Sequence, residues 1–204
     1  MGFLKNSTCL VRFISQDIPK DIDYRSVYPE SILRNSFREI EEDSEIERSI
    51  GWVDISNNEA VPTEDSIFKG SCIMAFGLRI DSKKIPSSAI GPLYKKLLLE
   101  RKQQNPHEKI TKEVRQELKS EAKAILLKKV IPSTKVYDII WDTQKNIVWF
   151  SGAGDNIIQC FLSLFKQTFN LALTSLFPYN LGKHFAGNYE QIEVDSLIET
   201  FFLR

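Results

Sequence analysis

The sequence predicts an α+β fold with mixed or antiparallel sheets, packed helices and a protruding basic helical hairpin. Three observations lead there. Short β-branched and aromatic runs are bounded by turn residues, as strands are. Longer stretches repeat their apolar residues every three or four positions, as helices do. Two of those helices also carry a dense block of positive charge, set in a chain that is otherwise acidic.

Residues 8–15 (TCLVRFIS) are short and apolar and read as a first strand. The polar stretch 17–28, with Pro19, reads as a loop. Pro29 suits a first helical turn, so a helix is expected from 29 to about 41 with Ile32, Leu33, Phe37 and Ile40 on its apolar face. The acidic run 39–47 reads as a solvated turn that can repel nucleic acid from its side. Gly51-Trp52-Val53 follows, and its apolar neighbours make Trp52 a buried structural residue. Residues 66–81 are almost continuously apolar, a strand buried on both faces with a bend at Gly70 or Gly77.

Lys83-Lys84-Ile85-Pro86 ends that strand. Ser87 or Ser88 can cap a helix over 89–104, with Pro92 tolerated in its first turn. Asn105-Pro106 breaks it, and a second helix runs over 112–130 behind a Thr111 cap. Residues 136–143 and 147–151 flank Gln144-Lys145-Asn146 as a β-hairpin. Asp155 is placed to cap a deeply buried helix over 156–169, carrying Phe161, Phe165 and Phe169. A strand over 171–177 and a last helix over 192–203 complete the chain. Three parts follow, 1–82, the basic hairpin 83–132, and 133–204, with one continuous domain as the alternative.

The charge is unevenly spread. Residues 79–135 hold fifteen of the 27 Lys and Arg against six acids, a net of +9, which leaves −9 for the remainder. Such a basic block is the usual electrostatic footprint of a polyanion site. On the second helix three stripes separate at about 100° per residue. Ile110, Val114, Leu118, Ala122 and Ile125 form an apolar stripe, Glu113, Glu117 and Glu121 an acidic one, and Lys112, Arg115, Lys119 and Lys123 a basic one extended by Lys109. Favourable Glu-to-Lys pairing at i,i+4 occurs only at Glu108–Lys112, so the pattern fits a solvated, self-paired helix less well than a polyanion contact.

Other chemistries find little support. No run approaches the ~18 apolar residues of a membrane span. The amino terminus lacks a signal-peptide apolar region. Cys9, Cys72 and Cys160 are far apart in apolar contexts, which predicts buried thiols in a reducing cytoplasm. His107 and His184 have no metal-ligand spacing. Ser151-Gly152-Ala153-Gly154-Asp155 resembles a phosphate loop but lacks its Lys-Ser/Thr ending, and reads better as a tight turn. Glu117-Leu118-Lys119 and Glu121-Ala122-Lys123 spell the Glu-x-Lys of metal nucleases, but on a helix. Asp138 and Asp142 lack a third ligand. No cofactor, metal or catalytic residue is expected.

The order of Gly51-Trp52-Val53, an apolar strand, and Lys84-Ile85-Pro86 opening a charged helical hairpin resembles the RdgC recombination-associated proteins. Trp141-Asp142 on the following strand and the buried helix after Gly154 extend the resemblance over about residues 3–180. It implies an α+β protein that dimerises into a ring around duplex DNA, binds with little sequence preference and restrains the strand-exchange recombinase; some members have been described as exonucleases. The family chains continue beyond the point where this sequence stops. They also carry an aromatic at a subunit contact where this chain, reading Leu126-Leu127-Lys128-Lys129-Val130-Ile131, has Ile131.

The expected function is therefore sequence-independent binding of double-stranded DNA, modulating homologous recombination in a cytoplasmic, nucleoid-associated homodimer, with the recombinase as a further partner and no membrane. The expected contacts are Lys83, Lys84, Lys95, Lys96, Arg101, Lys102, Lys109, Lys112, Arg115, Lys119, Lys123, Lys128 and Lys129. Two other classes compete: an interaction module whose basic hairpin docks an acidic protein, and a metal-dependent nuclease.

Overall fold

A computed structural model describes residues 9–15, 23–41, 43–105, 109–177 and 180. In chain order the elements are β1 (Val11–Ser15), α1 (Tyr24–Arg34), β2 (Arg48–Val53), α2 (Glu64–Ile67), β3 (Ile73–Ser82), α3 (Ser87–Gln104), α4 (Lys112–Lys129), β4 (Ser133–Asp142), β5 (Ile147–Phe150), α5 (Asp155–Phe169) and β6 (Leu173–Ser175). The strands form one open antiparallel sheet in the order β2-β3-β4-β5-β1-β6. The α+β class expected from sequence is the class observed.

The chain divides into two compact units. The first comprises Met1–Ser36, Trp52–Leu78 and Tyr137–Arg204; the second comprises Phe37–Gly51 and Arg79–Val136. Residues 37–51 group by their contacts with the hairpin.

In the first unit the register of the strands explains the core. Phe13 of β1 lies opposite Val148 of β5, which lies opposite Trp141 of β4; Phe150 lies opposite Ile139. Directly paired residues share a face of a sheet and alternate residues return to it. All five therefore line one side, and all are buried. Helix α5 covers that side. The Phe161 ring stacks on Phe150 with centroids 4.3 Å apart and also meets Phe13, while Phe165 and Phe169 set their edges against Trp141. Tyr28 of α1 stacks on the same indole, and burial pushes the Tyr28 hydroxyl pKa up. Gly152 fits under this layer because any Cβ there would lie 2.5 Å from the Phe150 ring.

Trp52 is fully buried, as expected. Its Nε1–H donates to Thr168 Oγ1 at 2.8 Å, and the Thr168 hydroxyl donates in turn to the Leu164 carbonyl at 2.8 Å. The Phe76 ring meets the indole nearly perpendicular, at 5.1 Å. Each polar atom of the pair thus has a partner inside an aromatic layer, which is what allows an indole N–H and a hydroxyl to be buried at little cost.

Several local expectations need correction. Helix α1 begins at Tyr24, not Pro29, because Asp23 caps it by accepting from the Arg25 N–H, and it stops at Arg34. Pro29 is thus interior, and Leu33 is exposed. Residues 64–67 form the short helix α2 under a Thr63–Ser66 capping box, so β3 starts only at Ile73, after a positive-φ turn at Gly70. No side chain caps α3, which begins at Ser87 behind Pro86. Asp155 is the first helical residue of α5 rather than its cap; Gly154, at φ 101°, occupies the cap position. Cys9 is exposed, and Cys72 and Cys160 are only partly buried. The expected helix over 192–203, and both histidines, lie outside the described residues.

Candidate nucleic-acid interface

Within the second unit, α3 and α4 form the expected hairpin. Thr111 Oγ1 accepts from the Val114 N–H and starts α4 where the sequence put it. In the same first turn Glu113 accepts from its own backbone N–H and from the Thr111 hydroxyl, which lowers its pKa. An acid there also suits the positive end of the helix dipole. Leu118, Ala122 and Leu127 are the buried residues of α4. Helix α3 has none; its Ile90, Leu93, Leu97 and Leu98 are half-covered.

One contact fixes which flanks of the two helices face the same way. The Lys119 ammonium sits 5.7 Å from the centre of the Tyr94 ring, a cation–π pair across the seam. At about 100° per residue, Lys112 and Arg115 lie within roughly 40° of Lys119 around α4. Lys95 and Lys102 follow on the flank of α3 just beyond Tyr94 and Leu98. Glu117 and Glu121 lie more than ~150° away from Lys119 around α4. The hairpin therefore has a basic side, with Lys95, Lys102, Lys112, Arg115 and Lys119, and an opposite acidic side. All five cations are exposed except where Tyr94 touches Lys119. Among the described residues no carboxylate pairs with Lys95, Lys102, Lys112 or Arg115, nor with the exposed Lys109 between the helices.

The remaining expected contacts are placed differently. Lys83 is a correction: it is 4% exposed, and its ammonium donates to the backbone carbonyls of Ser44 at 3.0 Å and Glu41 at 3.4 Å. It anchors the acidic segment and is not available to a phosphate. Lys123 is paired with Glu47, and Lys128 with Glu45 at 3.2 Å. The segment read as a solvated turn thus reaches the carboxyl-terminal half of α4. Lys96 pairs with Glu100 at 3.8 Å, on the acidic side. Arg101 is half-buried. Lys84 and Lys129 are exposed near the other end of the hairpin, where α3 begins and α4 ends. Ile131 is 88% exposed, an unusual state for an isoleucine.

Tyr94, Glu45 and Glu47 were not singled out from sequence. Tyr94 sits inside the apolar stripe of α3 and reads there as one more packing residue. The two glutamates are 76 and 83 residues from their lysines, so no local pattern links them.

Asp142 caps the β4–β5 turn, accepting from the N–H groups of Gln144 and Lys145, and Glu117 and Glu121 stand exposed on α4. Among the described residues no three His, Cys, Asp or Glu side chains come together as a metal site. Among them, too, no helix is long and apolar enough to cross a membrane.

No protein-family model matches the chain, and no curated protein matches its sequence. What bears on function is then the arrangement of the chain's own residues.

Proposed function

We propose that this protein binds duplex DNA through phosphate contacts made by the basic side of the α3–α4 hairpin, without regard to base sequence. The observation that carries the reading is the gathering of Lys95, Lys102, Lys112, Arg115 and Lys119 on one side, with the Lys119–Tyr94 contact in the seam and the carboxylates turned away. From Lys112 to Lys119 the helix rises about 10 Å, at ~1.5 Å per residue. Duplex DNA presents a phosphate every ~3.4 Å of axis on each strand, so such a row spans about three of them. Lysine and arginine on a regular helix face supply point charges and forks to phosphate oxygens but no groove-reading pattern, which favours affinity over sequence choice. By its resemblance to the RdgC proteins, the chain acts as a dimer on duplex DNA and restrains the recombinase in homologous recombination.

Fluorescence anisotropy with duplex DNA of several sequences, titrated over salt, tests this. Five phosphate contacts give a log–log salt slope of about −4 to −5, since each contact contributes ~0.9. The triple change Lys112→Ala, Arg115→Ala, Lys119→Ala lowers that slope by about three units for all sequences alike. Undiminished binding by the triple variant removes the hairpin from the mechanism. Duplex cut on addition of Mg²⁺ or Mn²⁺ would instead point to a nuclease.

A further inference from the structure

Two lysines of α4 are already occupied: Lys123, on the basic stripe, and Lys128, about 180° from Lys119 around the helix and so on its other flank. Residues 37–51 bring six acids and two arginines to the unit that holds the hairpin. Glu47 and Glu45 from this segment take Lys123 and Lys128, the last two lysines reached on going along α4 from Lys119 before Lys129. Both pairs are about half exposed, so on their own they hold only weakly. A phosphate backbone could displace carboxylates held only by that attraction.

They are held by more. The Lys83 N–H donates to the Glu47 carbonyl at 2.8 Å, and the buried Lys83 ammonium grips the carbonyls of Glu41 and Ser44. At the start of the segment the Phe37 ring lies under the Arg79 guanidinium, 4.3 Å from its centroid, and Arg79 is itself fixed to Asp81 by two hydrogen bonds. The backbone carrying Glu45 and Glu47 is thus anchored on both sides, independently of their side chains.

We infer that Glu47 is a resident counter-anion that withholds Lys123, so that the phosphate contact of α4 ends at Lys119. This rests on the duplex-binding reading. It assigns a role in setting affinity and contact length to a glutamate that touches no DNA.

The test combines charge-removing changes on both partners. Glu47→Gln frees one cation of the stripe; the salt slope should steepen by about one unit and binding tighten by up to roughly 8-fold at 0.1 M salt. Lys123→Ala in the otherwise native chain should leave the slope unchanged. Glu121→Gln, the same charge change on the opposite side, is the control and should leave the slope alone. A slope that falls by one in the lysine variant means that DNA displaces the glutamate, and overturns the inference. So does an equal response of the two glutamine variants. Elution from immobilised heparin separates failure of the inference from failure of the DNA reading. If the native chain does not bind duplex, later elution of the Glu47 variant than of its control still upholds the counter-anion role, and identical elution rejects it.

Discussion

Trp52 and Thr168 form a buried couple whose removal can be worked out atom by atom. Trp52→Ala deletes a fully buried indole that meets Phe76, Phe161 and Phe169, and on the usual scale for aromatic truncation should cost about 3–5 kcal/mol. Thr168→Val keeps the shape but removes both roles of the hydroxyl. The indole N–H then has no acceptor, and the Leu164 carbonyl loses its extra donor. A stranded buried donor costs ~1–3 kcal/mol, more than the net worth of the bond itself. Trp52→Phe removes the N–H instead, leaving Thr168 free to keep its bond to Leu164. In the Trp52→Phe background Thr168→Val should therefore cost less than in the native chain, with a coupling of about 1 kcal/mol. Urea unfolding followed by circular dichroism measures all four corners of the cycle. Additive losses would show that the bond contributes nothing, and Trp52→Ala with unchanged melting but lost DNA binding would overturn the structural role.

Two further outcomes follow from charged groups. Lys83→Ala removes a buried ammonium's hydrogen bonds to two carbonyls and should lower stability by about 1–3 kcal/mol in urea, while leaving the DNA salt slope intact; a flatter slope with unchanged stability would restore Lys83 as a phosphate contact. Burial works to raise the Asp54 pKa, but the Ser66 hydroxyl, the N–H groups of Asn57 and Ser56 and the charge of Lys69 outweigh it and hold the pKa below the ordinary carboxylate value. A lowered folded pKa gives stability that is present above the unfolded value of ~3.9 and is lost as pH falls through the folded one. Asp54→Asn should accordingly be less stable than the native chain at neutral pH, with the gap closing in acid; a gap that widens on acidification would contradict the assignment.

Periodic signals were legible and non-local ones were not. The three stripes of α4, the Thr111 cap, the β4–β5 hairpin and the burial of Trp52 each depend on residues close in sequence, and each stands where it was placed. At α1 two start signals competed. Proline is accepted in a first turn, but an aspartate six residues earlier supplies an acceptor for a free N–H, and the helix grew from there. Lys83 and Lys84 are identical in sequence and opposite in fate. Side chains alternate at the end of a strand, so one lysine turns to the carbonyls of Glu41 and Ser44 and its neighbour to solvent. The pairing of Glu45 and Glu47 with α4 spans most of the intervening chain, which composition alone describes only as a neutral total.

The distribution of indoles divides the molecule optically. Trp52, Trp141 and Trp149 are the three tryptophans of the chain, and all belong to the unit built around α5. The first two are sealed in the aromatic layer. The hairpin unit contributes a single tyrosine, Tyr94, to the near-ultraviolet spectrum. Emission excited at the red edge, where indole alone absorbs, therefore follows the melting of the aromatic core and is silent about the helices that carry the basic side. Far-ultraviolet ellipticity weighs both. A difference between the two curves would read out, without any label, how far the hairpin unit unfolds on its own.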